Sequence, residues 1–401
     1  MNVVSTIRSF NTSRDPDRLA MKYQAMRANV FGFMRGTCHL YFARLPRSGP
    51  MKTAPLAWIC GDLHLANFGS YKADNRLVYF DINDFDESAL APASWDLVRL
   101  LSSVTLAAGA AGQKDGETRQ LCQTLVDTYA AELAAGKAYW VERDTARGLV
   151  GDLLEKLRTR QRPDFLSSRT KMKGRRRVLD TDNGKALPAS GEQKKAVRAF
   201  MADLADKQAN PRFFEVLDVA RRIAGTGSLG VERFVILVRG KGSPDGNYLL
   251  DLKRTLPSSW CHLSPAAQPR WASQAHRVVA VQQRMQAVSA AFLQPVQFGA
   301  QPFVLRALHP SEDRVDLEKA GQSADDLKEL VTTAAQVTAW AHLRSAARQG
   351  AATPDELIDY GLRHRWRAKL QDIAEAAALQ VRKDAAVFNS AFDAGEFAQD
   401  A

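Results

Sequence analysis

The segment that decides the fold is CGDLHLANFG, residues 60–69. It continues PLAWIC, residues 55–60, whose apolar character predicts a short buried strand that ends at Gly61. In the turn that follows, Asp62 and Asn67 stand five residues apart. This arrangement is typical of phosphoryl-transfer sites, in which one carboxylate orients or deprotonates the attacking hydroxyl and a nearby amide binds a metal ion. We therefore take residues 60–69 as the candidate catalytic turn.

A second acidic cluster follows in LVYFDINDFDE, residues 77–87. Four carboxylates crowd the end of a strand that is predicted over residues 76–82: Asp81, Asp84, Asp86 and Glu87. Because strand interiors disfavour Asp, the cluster indicates a special role. Mg²⁺ binds a few carboxylate or amide oxygens together with substrate phosphates, so Asn67, Asp84 and Asp86 are the expected metal ligands. An Asp-rich turn that caps backbone amides is the alternative interpretation.

Two further side chains near the turn have two interpretations each. His64 is a candidate catalytic residue, and a structural histidine bonded to the backbone is its alternative. Asp96, in SWDLVRL, lies near a predicted helix start, where it would cap the helix or pair with Arg99. Alternatively, Asp96 steadies the catalytic turn.

The glycine-rich stretch GTGSLG, residues 225–230, lies between two predicted strands. A dinucleotide-binding glycine motif would open a helix, whereas a glycine turn between antiparallel strands is how kinase lobes cover ATP phosphates. Lys253 ends the third strand, YLLDLK, and strand alternation places Asp251 on the same face. We expect the phosphates to bind Lys253 and the loop residues Gly225, Gly227, Ser228 and Gly230. An ordinary hairpin and an exposed lysine are the alternatives.

The order of these motifs predicts an α+β chain with a large helical component. Helices are predicted over residues 15–45, 94–111, 116–147 and 266–292 and from 323 onward, with a further strand at 301–308. Four segments follow: catalytic and metal loops in a helical lobe (1–150), a basic linker or insertion (151–210), a glycine-rich nucleotide-binding lobe (211–310) and helices returning to the first lobe (311–401). This order is that of a protein-kinase-like two-lobe fold in circularly permuted form, which requires only that termini lie close together. Lys253 should then face Asp84 across a cleft.

Composition favours an anionic partner. The net charge is +11, and residues 156–177 hold ten Lys or Arg against one Asp. This basic segment is either a solvated connector or an anion-binding element. Phe165 is its only aromatic residue, so a nucleic-acid partner is not expected. No apolar run has the length of a membrane span or the character of a signal peptide, so we expect a cytoplasmic protein without a membrane partner.

The motifs GDLHLAN, DFDE and WDL together resemble those of aminoglycoside phosphotransferases and choline kinases, which share a kinase-like fold. Over most of its length the chain more closely resembles the bacterial family called domain of unknown function 2252. The matching segments include FGFMRGT (31–37), NDFDE (83–87), DVARRIAGTGSLG (218–230) and AWAHLRSA (339–346). The kinase-like resemblance implies a phosphotransferase that uses ATP and Mg²⁺ on a small hydroxyl-bearing or anionic acceptor.

One feature departs from that resemblance. Kinase-like lobes pair the strand lysine with a Glu on the next helix, but no acidic residue lies between Lys253 and Glu312. The intervening helix offers Gln282, Gln283 and Gln286, with Ala280 where the family is expected to carry an acid. A nucleotide-binding pseudokinase with a regulatory or scaffold role is therefore the alternative function. A two-metal phosphoesterase is disfavoured because the seven His form no metal-ligand pair by spacing.

Overall fold

The computed structural model describes residues 1–309 and 314–398, and about half of the chain is helical. In chain order the helices are α1 (Val3–Asn11), α2 (Pro16–Ala28), α3 (Val30–Gly36), α4 (Cys38–Arg44), α5 (Pro50–Thr53), α6 (Ser94–Ala110), α7 (Asp115–Ala135), α8 (Gly148–Thr159), α9 (Arg162–Ser167), α10 (Gly191–Ala205), α11 (Gln274–Met285), α12 (Leu317–Gly321), α13 (Ala324–Ser345), α14 (Pro354–Leu362) and α15 (Arg367–Asp393). None of these helices has the length and apolar character of a membrane span.

The strands form four antiparallel sheets within the described residues. In chain order they are β1 (Leu56–Ile59), β2 (Phe68–Lys72), β3 (Val78–Ile82), β4 (Ala89–Pro92), β5 (Val141–Glu142), β6 (Thr170–Lys173), β7 (Arg176–Leu179), β8 (Ala186–Pro188), β9 (Val216–Arg222), β10 (Arg233–Val238), β11 (Tyr248–Arg254), β12 (Gln294–Phe298) and β13 (Gln301–Ala307). Helices and separate antiparallel sheets together confirm the predicted α+β class.

The largest sheet has six strands in the order β12-β13-β11-β10-β9-β8. β10 pairs with both β9 and β11, and Arg233 lies opposite Lys253 in the register. The glycine-rich stretch therefore joins two antiparallel strands, as the sequence predicts. Alternating apolar residues of β10 and β11 bury one face of the sheet against α10, through Val197 and Met201.

The remaining core is mainly helical. α6, α7, α13 and α15 pack around it, together with the β1–β4 pair and the β2–β3–β5 sheet. α6 is buried along nearly its whole length, which is consistent with its run of Leu and Val in SWDLVRLLSSV. β1 pairs with β4 rather than with β3, so the catalytic turn leaves one sheet and β2 begins another.

Three predicted helices have different bounds in the structure. The helix expected over 266–292 extends only from Gln274 to Met285, because Pro265 and Pro269 precede it and the Ser273 side chain caps its first turn. The helix expected over 15–45 is three helices, since the Asn29 side chain caps a new start by accepting from Gly32 N at 2.7 Å. The helix expected over 116–147 ends at Gly136, which adopts a left-handed conformation.

Residues 151–210, where a basic linker or insertion is expected, contain most of α8, then α9, the β6–β7 hairpin, β8 and α10. β8 is an edge strand of the six-stranded sheet, where it pairs with β9. The segment boundary expected at 310/311 lies outside the described residues.

Candidate functional site

The catalytic turn follows β1 through a fully buried backbone. Gly61 has φ 81°, and a Cβ there would lie 2.2 Å from the Glu87 carbonyl oxygen, so only glycine fits. The Asp96 carboxylate accepts hydrogen bonds from Cys60 N and Gly61 N, each at 2.9 Å. Asp96 therefore steadies the catalytic turn from α6, and it forms neither the helix cap nor the Arg99 ion pair of the alternative interpretation.

Arg99 pairs instead with Asp62. Its Nε lies 2.8 Å from Asp62 Oδ1, and its Nη2 also donates to the Met34 carbonyl oxygen at 2.8 Å. The guanidinium is fully buried against the Tyr41 ring, at 4.5 Å from the ring centroid. Burial opposes the charge, but the adjacent Asp62 carboxylate outweighs it and raises the pKa of Arg99. One oxygen of Asp62 is thus fixed by a permanent cation.

Asn67 lies in a short 3-10 helix within the turn. Its Nδ2 donates to the carbonyl oxygens of Asp62 at 3.1 Å and Asp84 at 3.3 Å. These two acceptors fix the orientation of the amide. Its Oδ1 is buried and has no hydrogen-bond partner among the described residues. An oxygen that is buried without a partner is costly, and a cation or a ligand donor would satisfy it.

One of the four carboxylates, Asp81, lies within β3, and the other three follow that strand. Asp81 accepts hydrogen bonds from Ile82 N and Ala287 N and pairs with Arg344, away from the cleft. Glu87 accepts from the backbone and hydroxyl of Ser259. Asp84, Asp86 and Glu87 line the cleft. Of these three aspartates, only Asp84 and Asp86 line the cleft, as Asn67 does.

Lys253 is brought to this loop by β11. Its Nζ lies 3.7 Å from Asp84 Oδ1 and in direct contact with Asp86 Oδ2. Burial raises the pKa of Asp84, but the charges of Lys253 and Arg306 prevail and lower it. Burial and the negative charge of Asp84 raise the pKa of Asp86. The structure thus unites two clusters that are far apart in sequence.

The helix after β11 does not hold Lys253. Gln282 Nε2 donates to Gln286 Oε1, and Gln286 Nε2 donates to the Ile82 carbonyl oxygen. The two carboxylates of the metal loop are therefore the partners of the lysine, in place of a glutamate on α11.

Asp251, two residues before Lys253, is fully buried among three arginines. Arg233 binds it through two nitrogens, Arg222 Nη1 lies 2.7 Å from its Oδ2, and Arg306 Nε lies 3.6 Å away. Burial opposes the Asp251 charge, but the arginines hold its pKa well below the usual range. Three cations on one carboxylate leave a positive excess beneath the acidic loop, which favours anion binding there.

The glycine-rich loop is held from outside by the N-terminal helices. Arg14 Nη1 donates to the carbonyl oxygens of Gly227 at 2.7 Å and Leu229 at 2.5 Å, and Lys22 Nζ lies 3.3 Å from the same Gly227 oxygen. Ser228 Oγ is buried and has no partner among the described residues. The loop thus covers the cleft, and a Cβ at Gly227 would lie 3.8 Å from Asp62 Oδ2.

The cleft between these parts has a volume of about 90 Å³. Besides the residues already described, its walls contain His64, Arg35 and Arg314. His64 Nε2 lies 3.8 Å from Asp62 Oδ2, and burial, reinforced by the nearby arginines, lowers the pKa of His64 so that the ring is neutral. Burial also lowers the pKa of Arg314, to about 10. His64 therefore lines the cleft beside Asp62.

Several of these residues were not predicted from the sequence. Arg35 and Arg314 line the cleft and Arg99 holds Asp62 from behind it. They carry no spacing signal, because each comes from a different helix or loop. Asp62, Asn67, Asp84, Asp86 and the residues Gly225, Gly227 and Ser228 all line one cleft. Lys253 approaches the cleft through its carboxylate partners, and Gly230 lies against Arg14 at the outer end of the loop.

In the described chain, no group of three or more His, Cys, Asp or Glu side chains is arranged to hold a metal ion. Asp84 and Asp86 with the unpartnered Asn67 Oδ1 make a smaller oxygen set. That set fits Mg²⁺, which commonly uses one or two protein carboxylates and completes its shell with water and phosphate. It does not fit a zinc site, which needs three or four nitrogen or sulfur ligands.

Comparison with known families gives one match. The family described as an uncharacterized protein conserved in bacteria (DUF2252) matches residues 14–391. No curated protein and no solved structure matches the chain. The match spans the catalytic turn, the acidic loop, the glycine-rich loop and Lys253. The chain therefore belongs to the DUF2252 family.

Proposed function

We propose that the protein is an ATP- and Mg²⁺-dependent phosphotransferase with a circularly permuted, protein-kinase-like two-lobe fold. The observation that carries this proposal is the contact of Lys253 with Asp84 and Asp86. It joins the half of the chain with the glycine-rich loop to the half with the catalytic turn. A phosphate group beneath the loop would meet both halves at once.

The connectivity of the six-stranded sheet supports the kinase-like part of the proposal. A glycine-rich loop joins β9 to β10, Lys253 lies on β11, α11 follows, and β12 and β13 complete the sheet. A protein-kinase nucleotide lobe likewise has a glycine loop, then a lysine on its third strand, then a helix. Here that lobe follows the catalytic turn in sequence, which is why we describe the fold as permuted.

Asp62 is the proposed general base. Arg99 fixes its Oδ1, while its Oδ2 faces the glycine-rich loop, so the carboxylate is oriented before substrate arrives. The neutral His64 beside it can hydrogen-bond the acceptor hydroxyl without adding charge. Lys253, Arg35 and Arg314 supply the positive charge that stabilises phosphoryl oxygens in the transition state. The acceptor is therefore proposed to be a small hydroxyl-bearing or anionic molecule.

Asn67, Asp84 and Asp86 would hold Mg²⁺, because the unpartnered Asn67 Oδ1 and the two carboxylates are oxygen ligands of the kind it prefers. Bound there, the ion would neutralise charge on the phosphates. Lys253 now neutralises the two carboxylates, so nucleotide binding would exchange some of that pairing for contacts with phosphate.

The cleft in its present form suits a phosphate group rather than a nucleoside, since its volume of 90 Å³ is below the roughly 150 Å³ of a cavity that binds benzene. Arg14 and Lys22 hold the glycine-rich loop in this closed position. Nucleotide binding therefore requires the loop to move outward, as phosphate-covering loops do in other phosphotransferases.

A thermal-melt experiment with ATP, with and without Mg²⁺, tests the proposal on the wild type and on Lys253→Ala and Asp84→Asn. A ligand that binds only the native state raises its stability. We expect a Mg²⁺-dependent rise in Tm that both variants lose. Lys195→Ala, an exposed change on α10, is the matched control and should keep the full rise. The absence of any rise at saturating ATP would contradict the proposal.

The second candidate is a nucleotide-binding pseudokinase with a regulatory or scaffold role. It is favoured by the pairing of Lys253 with the carboxylates of the metal loop and by the lack of an acidic residue on α11. Measurable ATP binding in the melt experiment, combined with no ATP turnover by the wild type, would favour this candidate over the enzyme.

A further inference from the structure

A second cavity, of about 490 Å³, lies where three parts of the chain meet. Its walls come from the β2–β3 hairpin, the adjoining ends of α8 and α9, and the ends of β11 and β13. We call it the hairpin cavity. Among the described residues it shares no wall with the catalytic cleft, and its volume is in the range that binds small molecules.

The hairpin cavity is strongly basic. Among the described residues of its wall, one acid, Asp74, stands against five basic side chains: Lys72, Arg76, Arg160, Arg162 and Lys241. The basic segment 156–177 supplies two of the five, so part of that segment forms a wall rather than a solvated connector. A concave surface with this excess of positive charge attracts an anion, and arginine suits phosphate in particular.

Aromatic rings form the other part of the wall. Phe213, Tyr248 and Phe292 contact one another, with centroid separations of 4.8 Å and 5.6 Å from Phe213 to the other two rings. The Arg162 guanidinium stacks on Tyr248, 3.8 Å from the ring centroid. Such a wall offers apolar faces to a flat ring, next to the cations that would bind a phosphate.

Two wall residues have an unusual backbone. Phe292 has φ 61° and Arg76 has φ 70°, and they are two of the four non-glycine residues with positive φ in the described chain. This conformation is rare for residues with bulky side chains. Strain of this kind is typical of binding sites, where it directs a side chain toward a ligand.

His309 adds a polar group to the same wall. It is 8% exposed, and neither ring nitrogen has a partner among the described residues. Burial, reinforced by Arg306, lowers the pKa of His309 well below its ordinary value. The neutral ring therefore presents one donor and one acceptor. A polar group on the edge of a ligand heterocycle would satisfy one of these two nitrogens.

We propose that the hairpin cavity binds a small phosphorylated molecule that carries a planar heterocycle, of the nucleoside monophosphate class. The basic side chains bind the phosphate, the aromatic rings contact the heterocycle, and His309 hydrogen-bonds its edge. This site is separate from the proposed ATP site. Its binding does not require Mg²⁺, because the part of the wall that the structure describes contains one carboxylate and no oxygen cluster for a metal.

Isothermal titration of the full chain in EDTA tests this site with AMP, GMP, CMP and UMP. Chelation removes the Mg²⁺ on which the proposed phosphotransferase site depends, so the two proposals fail separately. We expect at least one of these nucleotides to bind in EDTA. If AMP is that nucleotide, adenosine and ribose 5-phosphate should each bind at least tenfold more weakly than AMP. No measurable binding by any of the four nucleotides would overturn the proposal.

Variants then locate the binding. Arg162→Gln should weaken nucleotide affinity roughly tenfold or more, because it removes a charge-assisted hydrogen bond. Arg176→Gln removes the same charge from the exposed β6–β7 hairpin and should change affinity less than twofold. Lys253→Ala, in the catalytic site, should also have little effect. Equal losses of affinity for Arg162→Gln and Arg176→Gln would indicate diffuse electrostatic attraction. A loss of affinity confined to Lys253→Ala would locate binding in the catalytic cleft. Either result overturns the proposal.

His309→Phe keeps a ring of similar size but removes both nitrogens. It should weaken nucleotide binding and leave ribose 5-phosphate binding unchanged. An unchanged nucleotide affinity, with the thermal stability of the variant intact, would overturn the assigned role of His309. Tighter binding of a ten-nucleotide RNA than of any mononucleotide would replace the proposed ligand with a polymer.

Discussion

At the scale of single residues, the environment of each carboxylate separates its role from those of its neighbours. Arg99 holds one oxygen of Asp62, and this carboxylate faces the cleft. Asp96 is fully buried and accepts hydrogen bonds from two backbone amides. Asp251 is buried among arginines, and Asp81 is bonded to Ala287 N, just after α11, and to Arg344 of α13. Only the carboxylates that reach the cleft can take part in chemistry there.

The proposed base gives the first residue-scale prediction. Asp62→Asn should lower ATP turnover by roughly 10²–10⁴-fold, because an amide cannot accept the hydroxyl proton. ATP affinity should change little, since Asp62 is not a proposed phosphate or metal ligand. Turnover and titration of the same sample measure both effects. Asp115→Asn, on the exposed first turn of α7, is the control and should retain full turnover.

A second residue-scale prediction concerns Asp96. Asp96→Asn should lower the free energy of unfolding by about 1–3 kcal/mol, because an amide presents only one oxygen to the Cys60 and Gly61 amides. Asp325→Asn, in the exposed first turn of α13, should cost no more than about 1 kcal/mol. Urea denaturation compares the two variants. Equal losses would mean that the bonds to the turn contribute little to stability.

At the scale of elements, the N-terminal helices and the glycine-rich loop act as one unit. Arg14, Arg18 and Lys22 donate to carbonyl oxygens of residues 227–231, and Asp15 N donates to the Gly230 carbonyl oxygen. The loop is thereby closed over the cleft by groups that do not belong to the six-stranded sheet. The affinity for the proposed nucleotide therefore depends on how readily these contacts break.

Two glycines test this packing. Gly230 has φ 85°, and a Cβ there would lie 2.6 Å from Arg14 Cβ, whereas Gly112 has φ 78° and open space around it. Both Ala substitutions carry the cost of a left-handed backbone, about 1 kcal/mol. Gly230→Ala should lose about 1–3 kcal/mol more than Gly112→Ala, because only the added methyl group at position 230 also clashes with Arg14, in the loop before α2. Similar losses of unfolding free energy in chemical denaturation would show that Arg14 and the loop adjust easily to the added methyl group.

At the scale of the whole molecule, several buried histidines link folding to pH. Burial, with the charges of Lys22 and Arg14, lowers the pKa of His39 to about 3, and burial also lowers those of His64 and His309. Between pH about 6.5 and about 3 the unfolded chain therefore binds protons that the folded chain excludes. These residues stabilise the fold fully above pH 6.5, and their contribution is lost as the pH falls below it.

His39→Gln isolates this effect. As the pH falls from about 6.5 toward 3, the wild type should lose free energy of unfolding relative to the variant, by up to about 1.4 kcal/mol per pH unit. His39 stacks on Phe10 and neither of its ring nitrogens has a partner among the described residues, so glutamine removes the titrating group at a buried site. Urea denaturation across this pH range measures the difference. A constant difference would mean that His39 takes up its proton in the folded state.

The sequence by itself determined the local elements and their class. The apolar strand before Gly61, the antiparallel strands around the glycine-rich loop and the α+β class were predictable, because each depends on residues close together in the chain. Membership of the DUF2252 family likewise follows from motifs spread along the sequence. The prediction of one long helix over 266–292 was wrong, because two prolines precede Gln274 and the Ser273 side chain caps the helix there.

Only the tertiary structure decided which of these groups meet. Lys253 finds Asp84 and Asp86, Arg99 turns to Asp62 rather than Asp96, and part of the basic segment forms a wall of the hairpin cavity. None of these contacts follows from spacing, since each joins elements from separate parts of the chain. Which charged groups pair depends on which faces of the chain are buried against one another. Burial favours such pairs because a buried charge without a partner is energetically costly.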